Sequence, residues 1–169
     1  MYNVKKMVLS AMMTANALTI FVIEAQLPPL APIPGIKLGL ANVVTLATIL
    51  LLGNKAGIAV HIMRICLGTL FTGQAVSFLY SMSGGICCLL VMLLTARLFG
   101  KNLIWLMSVL AAIAHIGGQL VVAMWVLETV SIVLYLPILL FSSILTGFFT
   151  GMCVQIIIKR YPSILRMNF

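Results

Sequence analysis

The stretch "PLAPIPGIKLGLANVVTL", residues 29–46, sets three prolines, two glycines and a lysine directly against an apolar run that continues to Leu52. The second half reads as the start of a membrane helix. The first half reads as a stiffened connection, because prolines deny backbone donors and confine the chain to extended or turn shapes. Such a segment either joins two helices rigidly or forms a lid or wall over a binding cavity, since loops are also where sites tend to lie.

Working outward, the same alternation of apolar run and short break recurs to both ends of the chain. A spanning helix needs about 20 apolar residues, fewer where neighbours bury it. Six runs qualify: Met7–Ile23, Leu38–Leu52, Ile58–Phe71, Phe78–Leu98, Leu103–Leu127 and Ile132–Ile158. The second and third are short and interrupted by glycine, which is tolerated where other helices wrap them or where they line a cavity. Lys5 and Lys6 ahead of the first run invite a signal-peptide reading, but the run is long for one and "IEAQLPP" lacks a small-x-small cleavage pattern. The first run is therefore expected to be a retained span. No soluble domain or linker is left over, so all 169 residues form one integral membrane domain.

Composition agrees: 63% of residues are hydrophobic and 7% charged, against roughly a quarter charged in soluble domains. The net charge of +8 does not point to nucleic acid, because the basic residues stand singly or in pairs between apolar runs instead of forming a patch. Orientation accounts for them. With the N-terminus inside, Lys5, Lys6, Lys55, Arg97, Lys101, Lys159, Arg160 and Arg166 fall on the cytoplasmic side, and only Lys37 falls outside with Glu24 and Glu128. That eight-to-one bias predicts a multi-pass protein with an even number of spans and both termini in the cytoplasm.

Arg64 lies within the third run. Arginine at mid-span costs roughly 3 kcal/mol or more and usually faces a cavity or a partner. His61 precedes it on the same helical face, and Gly57 and Gly68 leave room for close packing or a ligand. No acid is expected inside the membrane, which leaves carbonyls and helix ends, or an anionic ligand, to satisfy the guanidinium; its planar fork matches carboxylate and phosphate oxygens. In the fifth run "AHIGGQL" puts His115 and Gln119 on one face, suggesting a cavity or an interhelical hydrogen-bond seam. Asn42 either caps the second helix or reaches the same cavity, with Lys37 just above it at the outer surface. In the first run Ala11 and Ala15, flanked by Ser10 and Thr14, form a small-residue face that could pack internally or meet another helix.

Absences narrow the chemistry. There is no GxxxxGK[ST] loop for ATP, no aspartate to hold Mg²⁺ against a diphosphate, and no nucleophile–base set, so the chain is not expected to be an enzyme. Cys66, Cys87, Cys88 and Cys153 lie in apolar runs without a CxxC and read as packing residues. Two histidines without carboxylate or thiol partners make no metal site, and no cofactor is expected.

Together, "PGIKLGLANVVTL", Arg64 with a glycine soon after, "SMSGG" and the His-x-x-Gly-Gln of "HIGGQL" resemble the Gx transporter family, whose members are often labelled heptaprenyl diphosphate synthase component I. The resemblance covers nearly the whole chain; Ile116 stands where the family often has a polar Asn after the His. It implies a compact bundle of six helices like the substrate-binding S components of energy-coupling factor transporters, with outer loops covering a cavity. In a transport reading the substrate-binding residues would be the polar set at similar depth: Arg64, His61, His115, Gln119, Asn42 and Lys37. On the resemblance, Ala11 and Ala15 would dock a transmembrane coupling subunit driven by two cytoplasmic ATPases. The alternatives are a membrane electron-transfer scaffold linking quinol to extracytoplasmic flavin proteins, and a non-catalytic membrane partner of a prenyl diphosphate synthase.

Overall fold

A computed structural model describes residues 4–26, 37–73, 75–100 and 102–160. The described residues form six α-helices: α1 (Val4–Gln26), α2 (Asn42–Leu52), α3 (Asn54–Thr72), α4 (Ala75–Phe99), α5 (Ile104–Val126) and α6 (Leu136–Arg160), the last preceded by a 3₁₀ helix, Val130–Tyr135. Each of the six runs picked out by hydropathy became a helix, within a few residues at either end. The proline-rich connection, Lys101 and Arg166 lie outside the described residues, so the lid expected over the outer mouth does too.

Four segments are long and apolar enough to cross a membrane: α1, α4, α5 and the continuous stretch Val130–Arg160. α2 has 11 residues, about half the length a bilayer core requires. α3 has 19 but carries Lys55 and Arg64. These two make a hairpin broken at Gly53, whose φ of +92° is a backbone shape that residues with a side chain rarely adopt. Beyond it Gly57 packs directly on Ile49, closing the hairpin. Gly57 and Gly68 thus serve close packing, the latter against the Phe21 ring.

α1, α3, α4, α5 and α6 form an arc in which each helix touches the next, and α2 sits inside it against α1, α3, α4 and α6. That position explains how so short a helix survives in an apolar solvent: its neighbours bury most of it. The tightest seams are made by glycines. A Cβ on Gly151 would lie 2.6 Å from the Trp105 Cα, and one on Gly147 2.9 Å from the Val109 Cα, so α6 meets the α5 backbone itself. Ser108 Oγ and Thr150 Oγ1 bond across this seam at 3.1 Å. The outward faces remain apolar and open, with Leu70, Phe71, Trp125, Phe141 and Phe149 all strongly exposed. Such a surface is stable against lipid and not against water.

All four cysteines are free; Cys88 is buried as expected, whereas Cys66 is exposed on the outside of the bundle. Ala11 and Ala15 lie on the exposed side of α1, beside Val8 and Met12. Ser10 and Thr14 instead bond the carbonyls one turn back, Lys6 O and Ser10 O.

Candidate functional site: a buried polar seam around Arg64

α1 presents Ala17, Phe21 and Glu24 to the interior, a four-then-three spacing that keeps them on one face. Glu24 overturns the expectation that no acid lies inside the bundle near Arg64. It is 6% exposed, and its two carboxylate oxygens accept from the backbone N–H groups of Gly39 (2.6 Å) and Leu40 (3.0 Å). It pins the chain that leads into α2. Gly39, at φ +78°, turns that chain, and a side chain there would collide with Asn42 Nδ2 and the His115 ring. Glu128, by contrast, is exposed.

Asn42 is not a cap. The N-cap of α2 is Ala41, with no side-chain bond, and the Asn42 amide reaches sideways instead. Its Oδ1 accepts from Arg64 Nη2 at 3.1 Å, and its Nδ2 lies 3.3 Å from His115 Nδ1. His115 Nε2 in turn lies 3.0 Å from Gln119 Nε2, and Gln119 Oε1 accepts from the Lys37 backbone N–H at 3.4 Å. One chain of polar contacts therefore runs from α3 through α2 to α5 and on to the pinned segment. His61, on the Arg64 face of α3, contacts Thr45 Oγ1 through Nδ1 at 3.2 Å. Thr45 is three residues after Asn42, on the same face of α2.

Proton positions follow from the arginine. A guanidinium only donates, so Asn42 must turn its oxygen to Arg64 and its NH₂ to His115 Nδ1. Gln119 gives its oxygen to the Lys37 N–H and turns its NH₂ to His115 Nε2. A neutral imidazole accepts at only one ring nitrogen, so the Asn42 and Gln119 amides compete for a single acceptor on His115.

Arg64 is 2% exposed. Its Nε has no hydrogen-bond partner, and neither do His61 Nε2 and the Lys37 ammonium, all three buried. Lys37 is not at the outer surface as expected: its side chain folds in, with Nζ 3.7 Å from the centre of the Phe21 ring. The Arg64 guanidinium lies 5.7 Å from the same ring. Burial pushes the Lys37 ammonium below the usual lysine range; the Glu24 carboxylate opposes this and the Arg64 charge adds to it. Glu24 is also within Coulombic reach of Arg64. A quadrupole is a weak substitute for an anion, so the two cations share one aromatic face and one carboxylate that is already bonded elsewhere.

The glycines of "SMSGG" and "HIGGQL" form the wall behind this seam. A Cβ on Gly84 would lie 2.7 Å from both the His115 carbonyl and Gln119 Cγ, and one on Gly85 2.7 Å from His61 Nε2. Gly118 is held against Ser83 O and Gly84 Cα, and Ser83 Oγ donates to Gly118 O at 2.6 Å. A cavity of about 10 Å³ lies beside Gly39 and Asn42, reaching Ser108, Thr146 and Thr150. That is room for about one water, not for a ligand.

The structure places Arg64, His61, Asn42, His115, Gln119 and Lys37 in one neighbourhood, together with Glu24, Phe21 and Thr45, which the sequence reading did not include. The signal for Thr45 was its spacing from Asn42. The signal for Glu24 and Phe21 was their shared face in α1. Among the described residues no group of three or more His, Cys, Asp or Glu side chains stands ready to hold a metal.

Fold and seam define a multi-pass helical membrane protein with a buried cationic centre. The chain belongs to the family described as heptaprenyl diphosphate synthase component I, whose model matches residues 13–157. No curated protein and no solved structure matches it.

Proposed function

We propose that the protein is the substrate-binding membrane component of an uptake transporter of the energy-coupling factor type, taking a small anionic or amphipathic molecule from the outer side. In this reading all six helices cross or enter the bilayer, both termini are cytoplasmic, and the exposed Ala11–Ala15 face of α1 meets a transmembrane coupling subunit. Cytoplasmic ATPases supply the energy that a chain without a phosphate loop cannot. The observation that carries the reading is Arg64: a guanidinium at mid-helix, 2% exposed, with Nε unpartnered. A permanent charge in that position is costly unless something completes its hydrogen bonds. His61, Asn42, His115, Gln119 and Lys37 stand around it with Nε2 and Nζ donors also free.

The test is extraction of gently purified protein followed by mass spectrometry of small molecules, with Arg64→Ala alongside. A molecule that accompanies the wild type and is lost from the variant supports the reading; equal retention removes Arg64 from the site. Co-purification with ATPases supports transport, and co-extraction of quinone supports an electron-transfer scaffold instead.

The family's description favours a second reading, a membrane partner of a prenyl diphosphate synthase. The chain has no aspartate, so in that assembly it would anchor or feed the catalyst and not perform Mg²⁺-diphosphate chemistry. Capture of a soluble synthase subunit in place of ATPases distinguishes the two.

A further inference from the structure

We infer that the ligand bears a single net negative charge, presents only hydrogen-bond acceptors to the seam, and is held to that charge by Glu24. The inference rests on the ligand-binding reading above and narrows it.

The polarity of the free groups comes first. Arg64 Nε and Lys37 Nζ can only donate. The amide oxygen of Gln119 is already taken by the Lys37 backbone N–H at 3.4 Å, so it is not free to receive either donor. A ligand ammonium aimed at this region would add further donors to a surplus, whereas a carboxylate-like group, which only accepts, satisfies it.

Charge comes second. Arg64 and Lys37 contribute two positive charges around Phe21. Glu24 contributes one negative charge and is the acid within Coulombic reach of both. Its position is fixed, because both carboxylate oxygens are bonded to the amides of Gly39 and Leu40. The surplus is +1. A monoanion neutralises it; a dianion would leave an excess negative charge buried beside Glu24, and a neutral molecule would leave the surplus in place. Lys37 is the group that yields: it rests on an aromatic face without a hydrogen bond, so an incoming anion exchanges a weak contact for a strong one. Glu24 is thus a specificity residue, although it need not touch the ligand.

The test uses anions small enough that shape decides little. Formate is a planar monoanion and sulfate a dianion; each is titrated, at constant ionic strength, into the full-length protein stripped of bound molecules in lipid nanodiscs, and thermal stabilisation is read against Arg64→Met as background. Wild type is expected to respond saturably to formate and at least about tenfold more weakly to sulfate. Glu24→Gln should narrow that gap about tenfold or more, and Glu24→Asp should keep it. Lys37→Met leaves the backbone clamp intact and should lose formate binding, which keeps the idea testable if Glu24→Gln does not fold. Equal responses to both anions in the wild type, or an unchanged gap in Glu24→Gln, overturn the charge filter while the anion site stands. No response to either anion above the Arg64→Met background overturns the anion site together with the filter.

Discussion

Replacing Arg64 by methionine separates a ligand-binding arginine from a structural one. The variant loses the charged hydrogen bond to Asn42 Oδ1, about 1.5–3 kcal/mol, and leaves that oxygen in need of another partner. Against this it removes a guanidinium buried in an apolar bundle, which costs roughly 3 kcal/mol or more if α3 lies in the bilayer as proposed, together with a buried Nε that has no partner. The two sides nearly cancel, and the ligand-free variant should lie within about 1–2 kcal/mol of wild type. At roughly 2–4 °C per kcal/mol for a domain of this size, the melting temperature of stripped protein in nanodiscs should move by no more than about 8 °C. Wild type purified with its ligand should melt higher than the stripped form, and the variant should show no such difference. A keystone arginine fully compensated by its own chain would behave otherwise, since breaking a buried charge network typically costs about 3–5 kcal/mol. A loss of 10 °C or more in the stripped variant would refute the reasoning.

Glu24→Ala should release the segment it pins: deuterium uptake at 37–41 rises by about tenfold or more, while the α5–α6 seam, joined through Ser108 and Thr150, exchanges as before. Gly118→Val should destabilise by about 1–3 kcal/mol because its new Cβ meets backbone at Ser83 O and Gly84 Cα, whereas Gly117→Ala, with open space around it, should be neutral in a thermal melt. Thiol labelling of single-cysteine variants in intact cells and in inverted vesicles checks orientation: Glu128→Cys should react from outside, and Lys55→Cys and Arg160→Cys only from the cytoplasmic side.

The helices were legible because each is a hydrophobic run bounded by glycine, proline or charge, and lipid leaves the backbone little choice but to bond within itself. The Arg64–His61 pair was legible because both residues share one helix, where spacing alone fixes the face. Contacts between helices were harder. Asn42 heads α2 in a place where its residue type usually caps, and nothing in the order of residues announces that Arg64, twenty-two positions later, takes its oxygen away. Glu24 was misread for a related reason. It stands at the end of an apolar run beside a proline-rich break, so it counts as a loop residue by position, yet the chain after that break doubles back and lays the amides of Gly39 and Leu40 on its carboxylate. Lys37 follows from Glu24: a backbone held there brings the lysine stem over Phe21, where no hydropathy profile would put an ammonium.

The glycines join the two levels. "SMSGG" and "HIGGQL" look like ordinary small-residue helix packing, and that is half of their work, since Gly84 and Gly118 bring α4 and α5 to backbone contact. The other half is to give the polar side chains a wall with no side chains of its own. Gly85 faces His61 Nε2, and Gly84 faces His115 and Gln119. A bulkier residue at either place would push these groups off their partners, His61 from Thr45 and His115 from Asn42. The close approach of α4 to α5 and the alignment of the hydrogen-bond chain therefore have one cause. Mutations that loosen this seam should weaken ligand binding even when the altered atoms lie on the far side of the histidines from Arg64.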